Sequence, residues 1–251
     1  MKAILAAALL AFGALASAAA APTPKVAAIS LIGDRLLVVG GQMQTGSRID
    51  RNTKEHLPLK THELDTATVL AFEKEAKIAK PQLDVVLLRA SDASVHALQD
   101  DVVAGKRDQR ELLSAIAPIA RRAGATHLVL FTRSRGEARI QLVDGSIGSG
   151  FIEGLGFYVD RWSQVRRIDS GEADVGILAP FAYFRAVLVE LDGLKVVAEE
   201  KSHVARALYS RNVKAQTDPW DYLSPVEKVQ ALASMSGEGL QKMVPRVLSR
   251  L

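Results

Sequence analysis

Between Glu111 and Arg133 the hydrophobic period of the chain changes from helical to extended, and this switch restricts the fold more than any other stretch. Leu112, Ile116, Ile119, Ala120 and Ala123 fall on one helical face, Gly124 ends the run, and Leu128 to Phe131 are continuously apolar. Such a run has no polar side to offer water, so it predicts a strand buried on both faces with a helix delivering it. Asp108 and Glu111 stand at the spacing of an amino-terminal cap and its reciprocal partner. Pro118 lies inside the helix and forfeits the bond to the Ser114 carbonyl, so a kink, or a start delayed to about Ala117, is expected.

The remaining chain is punctuated in the same way. Val26 to Ile32 and Arg35 to Val39 read as strands around a Gly33-Asp34 turn, which predicts an opening hairpin. Gln42 to Lys60 is a polar excursion, and Asp65 is placed to cap a helix reaching about Lys80. Asp84 to Arg89 is a short apolar strand, and Ser91 or Asp92 starts a helix that Gly105 ends. Ala138, Ile140 and Leu142 alternate with polar residues, as a half-buried strand returning along the central one would. Phe181 to Leu191 is apolar on both faces and turns back at Asp192-Gly193. Ser224, Pro225 and Glu227 open a last helix, 225–250, with an interruption expected at Gly237 and Gly239. The fold class is therefore a single mixed α/β (α+β) domain over residues 21–251. Its sheet is expected to be mostly antiparallel, of about seven strands built from hairpins, with helices packed on it.

Residues 1–20 stand apart. Lys2, the apolar run from Ile4 to Leu15 and the small-residue pattern Ala16-Ser17-Ala18 predict a cleaved export signal, too short to remain as a membrane anchor. There is no cysteine, so neither a disulfide nor an acylated amino-terminal cysteine can form. A periplasmic protein without a lipid anchor or transmembrane segment is expected. The net charge of +4 is spread: Arg133, Arg135, Arg139, Arg161, Arg166 and Arg167 alternate with Glu137, Asp144, Glu153 and Asp160. That dilution argues against nucleic acid and predicts a solvated sheet edge.

Chemical motifs are scarce. Gly33-Asp34-Arg35-Leu36 resembles the Gly-Asp-Ser-Leu block of a lipase and esterase family, but Arg35 occupies the position of the nucleophile. Gly148, Gly150, Gly154 and Gly156 lie mid-chain after a half-buried strand, where a dinucleotide loop does not belong, so no cofactor is expected. Glu55, His56, His62, Glu63 and Asp65 have metal-ligating chemistry without a ligating spacing, and no metal is expected. Neither a nucleophile elbow nor a Walker pattern is present, and no catalytic residue is assigned. Asp144 to Pro180 shows no sustained period and predicts a long loop, the part at 144–167 carrying Phe151, Phe157, Tyr158 and Trp162. These four aromatics are the expected contact with a cell-envelope partner, in a protein that is not an enzyme. The alternatives are a hydrolase with an unrecognised site and a small-ligand binder with a pocket under the loop.

Two resemblances bear on this. Ser30-Leu31-Ile32-Gly33-Asp34, Gln44-Thr45-Gly46-Ser47 and the helix and strand at 111–133 resemble a group of uncharacterised secreted proteins of proteobacteria, which implies export. The layout is also similar to the α/β domains of the curli secretion component and of the amino-terminal part of the Tol translocation protein. There too a helix feeds strands like Gly124-Ala125-Thr126-His127-Leu128-Val129-Leu130, and a later hairpin turns as at Asp192-Gly193. That similarity implies a role in envelope assembly; the missing cysteine departs from the lipoprotein members.

Overall fold

The computed structural model describes residues 24–42, 50–142, 145–166, 173–210 and 217–251. The expected signal at 1–20 and Gln44 to Ser47 lie outside these residues. In chain order the elements are β1 (Lys25–Ser30), β2 (Arg35–Gly40), β3 (Thr53–Pro58), α1 (Glu63–Ala79), β4 (Asp84–Arg89), α2 (Ala93–Val103) and α3 (Gln109–Arg122). There follow β5 (His127–Arg133), β6 (Arg135–Glu137), β7 (Ile140–Leu142), β8 (Gly145–Ile147), β9 (Phe151–Arg166), β10 (Ala173–Glu190), β11 (Lys195–Ala205) and α4 (Pro225–Leu248). Seven strands form one path, β3-β2-β9-β10-β5-β1-β4, and β11 and β6 pair with β10 and β9 outside it, so among the described residues the mixed sheet has nine strands rather than about seven.

The apolar periodicity of the central stretch becomes two cores. Val129 and Phe131 of β5, with Val26 and Ala28 of β1, pack under α1 and α4 beside Phe72, Leu232 and Met243. Leu128 and Leu130, with Ala27 and Ile29, face α2 and α3 through Leu112 and Ile116. A third cluster at the other end of the sheet joins Leu37, Val39, Phe181 and Tyr183 to Ile140. The expected capping boxes are present: Asp108 with Glu111 opens α3, and Ser224 with Glu227 opens α4. The Asp192-Gly193 hairpin joins β10 to β11 in antiparallel register.

Several expectations are corrected. The first is the opening hairpin. β1 lies in parallel between β4 and β5, whereas β2 lies between β3 and β9. Both β5 and β9 run antiparallel to β10, so β1 and β2 point the same way and Gly33-Asp34 is a step in one line, not a reversal. The apolar run of β1 needs neighbours on both edges and cover on both faces, and the helix-linked strands supply them. Asp65 fixes the step: Ser30 Oγ and the Gly33 amide donate to its Oδ1 at 2.6 and 3.0 Å. It does not cap α1, which begins earlier, at Glu63.

The other corrections have local causes. α3 runs unbroken from Gln109 through Pro118, whose ring and the Ser114 position both lie on the exposed face, where water can satisfy the freed carbonyl. α4 is continuous because Gly239 faces the sheet. A Cβ there would lie 2.4 Å from Ser202 Oγ and 3.0 Å from the Phe184 ring, so its glycine is a packing choice and not a break. Of the loop expected over 144–180, residues 144 and 167–172 lie outside the described ones, and most of the rest is β8, β9 and the first part of β10. At Gly156 a Cβ would stand 1.9 Å from the Leu37 carbonyl oxygen; here glycine allows close approach of strands. Among the described residues β7 pairs with β8 rather than returning along β5.

Burial raises the Asp65 carboxyl above its ordinary value, against the two hydrogen bonds that lower it. A raised folded-state value means that this group favours folding below the unfolded value of about 3.8 and loses that contribution as pH rises through the folded one. Asp65→Asn keeps an oxygen for both donors and removes the charge. Its stability deficit against the parent should therefore shrink as pH rises from about 4 to 7, and Asp65→Ala, which lacks the group too, should follow the same trend from a deficit larger by about 1–3 kcal/mol. Urea unfolding of both variants across that range checks this, and parallel pH profiles for parent and Asp65→Asn would sink it.

Candidate functional site

β9 and β10 are long enough to leave the sheet. β2 accompanies β9 only to Val159, and the last bridge on the outer side of β10 is Leu178 with Leu208. Beyond these points, among the described residues, the strands at 160–166 and 173–177 pair with each other and form a two-stranded arm. At its base the register slips: Asp160 pairs with Ile177 and Gln164 with Val175, leaving Arg161, Trp162 and Ser163 opposite the single Gly176. Gly176 takes a φ of 96°, which glycine adopts without strain.

This bulge is organised by one carboxylate. Asp160 Oδ1 accepts from the amides of Trp162 and Ser163, both at 2.8 Å, and Oδ2 accepts from Ser163 Oγ at 2.7 Å. On the flanking side Arg161 donates to both oxygens of Asp218, at 2.7 and 3.1 Å. That bond holds the Asp218 carboxyl below its usual range. Asp218 also caps the short 3-10 turn Pro219–Tyr222, so the bulge is tied to the body of the protein. What remains unburied is the Trp162 indole, 54% exposed, with Val175 equally exposed on the pairing strand. Bulges re-aim side chains, and this one holds a large aromatic ring in water on a fixed base.

The four aromatics expected to make one contact are thus divided. Phe157 (0% exposed) and Tyr158 are in the core, facing opposite ways because neighbours on a strand alternate. Phe157 meets the Trp220 ring edge-on at 5.6 Å, and Tyr158 joins the cluster of Leu37 and Phe181. Phe151 is 43% exposed and lies under the Arg135 guanidinium, but it begins β9, about 35 Å from Trp162 at the rise of a strand. Of the four, Phe151 and Trp162 are exposed, and Trp162 is the one on the arm. The sequence signal that was missed is Asp160 followed three residues later by Ser163, an Asx-type turn inside a strand.

A second polar centre lies where β5 ends and β1 steps to β2. Arg133, expected on a solvated edge, has a side chain only 2% exposed; it bonds Asp34 at 2.7 Å and also bonds Asp100. Arg35 holds Asp100 through both nitrogens at 2.7 and 2.6 Å. Gln99, one turn of α2 from His96, donates to the Leu31 carbonyl and accepts from the Arg133 amide. The lattice joins α2 to the sheet, and its charges are consumed by one another.

Ser134 Oγ and His203 Nε2 are 3.2 Å apart, the one Ser–His pair in hydrogen-bond contact among the described residues. Ser134 is buried, His203 is stacked on Tyr183 at 4.3 Å, and among the described residues no carboxylate is hydrogen-bonded to the ring to orient it as in a catalytic triad. Glu55 and His56 lie on β3, whereas Asp65 is turned inward to Ser30, and among the described residues no three His, Cys, Asp or Glu are placed to hold a metal.

The sequence matches no family model and no curated protein. Solved structures with loose similarity include a PelC dodecamer from Paraburkholderia phytofirmans, at 12% identity over 90% of each chain with a TM-score of 0.32. A putative neuraminyllactose-binding hemagglutinin homologue from Helicobacter pylori shares 8% identity over 91% of this chain and 89% of its own, with a TM-score of 0.37. The LpoB carboxy-terminal domain from Salmonella enterica shares 12% identity over 74% of this chain and 86% of its own, with a TM-score of 0.25. Likeness at this level transfers neither a ligand nor an assembly state.

Because Asp160 supplies three hydrogen bonds to the bulge, Asp160→Ala should release Trp162. In a Trp220→Phe background, Trp162 is the sole tryptophan and its fluorescence anisotropy should fall. The domain itself should lose about 1–2 kcal/mol. Unchanged anisotropy would show that the strands, not the carboxylate, hold the ring.

Proposed function

We propose that this is an exported, non-enzymatic protein of the cell envelope that docks a protein partner through the arm of β9 and β10, with Trp162 as anchor. The observation that carries the reading is the bulge: three hydrogen bonds and a bidentate ion pair are spent holding one indole outside the core. Tryptophan buries more area per immobilised rotamer than any other anchor, and centres of binding energy are enriched in it. Val175 extends the apolar contact onto the second strand. Export rests on Lys2, the apolar run and Ala16-Ser17-Ala18. No described helix is long and apolar enough to cross a membrane. The resemblance to secreted proteins and envelope assembly domains supports the same compartment.

Phe151, Phe157 and Tyr158 leave the docking proposal, the first by distance and the others by burial. A photoreactive side chain at the exposed position 164, two residues along β9 from the indole, activated in the periplasm of expressing cells, should capture a defined envelope protein. Trp162→Ala should weaken that capture by roughly 30-fold, the effect of about 2 kcal/mol, with an unchanged melting temperature. Phe157→Ala should instead cost about 3–5 kcal/mol of stability. Capture that survives Trp162→Ala undiminished would remove the anchor role.

A further inference from the structure

Residues of β2, β3, β6 and the start of β9 line a hollow of about 220 Å³. Asp50 builds one wall of it. Its carboxylate accepts from the Phe151 amide at 3.2 Å and from Lys54 Nζ at 2.6 Å, so the first residue of β9 is held to β3. The approach leaves no room for a side chain at Gly150, where a Cβ would stand 2.2 Å from Asp50 Cγ. Leu37 and Ile152, from the third core cluster, give the hollow an apolar floor, and the Phe151 ring and His56 flank it.

Four ionisable side chains line this hollow, Lys54, His56, Arg135 and Glu153. Lys54 is neutralised by Asp50. Burial, and then the neighbouring Arg35, lowers the His56 imidazole below its ordinary value against the pull of Glu153, so at neutral pH it brings a donor and an acceptor but no charge. Arg135 and Glu153 differ from both. They are register partners across β6 and β9, yet no ion pair joins them, and among the described residues neither has another. The reason is where the guanidinium lies: Arg135 Cζ is 4.9 Å from the centre of the Phe151 ring. Phe151 is two residues from Glu153 along β9, about 7 Å at the rise of a strand.

An unpaired cation and an unpaired carboxylate on one hollow select a ligand that carries both signs. A simple anion there meets Glu153 and a simple cation meets Arg135, so each faces its like, whereas a dipolar ion satisfies both heads. The separation suits a carboxylate and an ammonium on one carbon, each reaching its partner through a hydrogen bond of about 2.9 Å. The planar guanidinium fork matches the carboxylate. The volume lies below the roughly 300 Å³ at which pockets for drug-sized ligands begin, which restricts the ligand to about the size of one amino acid. Leu37 and Ile152 favour an aliphatic side chain on it.

We infer that this hollow binds a free α-amino acid with an aliphatic side chain, its carboxylate on Arg135, its ammonium on Glu153 and its side chain against Leu37 and Ile152. Either end of a peptide brings only one of the two charges and leaves the other head unmatched. The site lies at the opposite end of β9 from the exposed indole of Trp162, and its test leaves the docking reading untouched.

The probe is leucine, titrated into the isotope-labelled mature chain while its amide resonances are followed by NMR. The amides of Lys54, Phe151, Ile152 and Glu153 should shift saturably below about 10 mM leucine. Leucinamide, which lacks the carboxylate, and N-acetyl-leucine, which lacks the ammonium, should each bind at least tenfold more weakly. Leucine should lose the same factor on Arg135→Gln and on Glu153→Gln, and both variants should melt close to the parent because neither side chain has an ion pair to lose. If N-acetyl-leucine or leucinamide binds as tightly as leucine, one charge suffices, the end of a peptide is an equal occupant and the proposal is overturned. No saturable shift at these amides, or an undiminished affinity for leucine in both variants, would overturn it as well.

Discussion

One strand serves two half-sheets. β10 pairs with β9 up to Tyr183, opposite Gly154, and with β5 from Phe184, opposite Arg133, so two strands abut end to end along a single edge. Where they meet, the ladder is handed over and peptide groups could be left without partners inside the protein, at a cost comparable to a lost hydrogen bond each. The Ser134 amide donates to the Tyr183 carbonyl and the Gly154 amide reaches the Ser134 carbonyl, closing the seam. The next layer repeats the solution: β1 beside β5 and β2 beside β9 are two pieces of one line, joined at Gly33-Asp34. Everything else follows this seam, including the helices that cover the two halves and the arm that β10 carries beyond them.

The polar residues gathered at the seam have a structural explanation. Gln99 satisfies two main-chain groups that the step exposes, those of Leu31 and Arg133. Arg133 fills the space beside Gly154, where a Cβ would come within 2.7 Å of its side chain, and it needs Asp34 and Asp100 because an unpaired buried guanidinium would be costly. Such a lattice contributes little net stability over an apolar filling, yet removing one member strands the others at about 3–5 kcal/mol. It fixes where α2 sits and so holds the parallel half in register with the antiparallel half. Exposed aromatic surface is left to the periphery, as at the bulge that carries Trp162, the proposed anchor.

Much of the fold was legible because its determinants are local. Asp108 with Glu111, and Ser224 with Pro225 and Glu227, identify helix starts through bonds spanning three residues, and both occur as expected. Asp192-Gly193 turns a hairpin for the same reason. Gly33-Asp34 has similar turn chemistry and failed, since the demand of β1 for burial on both faces outweighed it. Gly154 and Gly156 resembled a loop, whereas glycine there answers the approach of Arg133 and of the Leu37 carbonyl, which no neighbouring residue reveals. Pro118 resembled a break and is harmless because that face of α3 meets water.

By itself the sequence determined the fold class, the central buried strand, two helix starts and one hairpin. Each depends on hydrophobic period or on hydrogen bonds within a few residues, which the order of residues fixes. Only the tertiary structure decided which aromatics are available. Phe157 and Tyr158 are buried because β2 and β10 flank them in the sheet and the two cores close over them. Trp162 is exposed because a three-residue bulge turns it away from both. Exposure is a property of what lies across the chain, and strand order, with β1 and β2 set in one line, is a long-range choice made by the packing of the whole sheet.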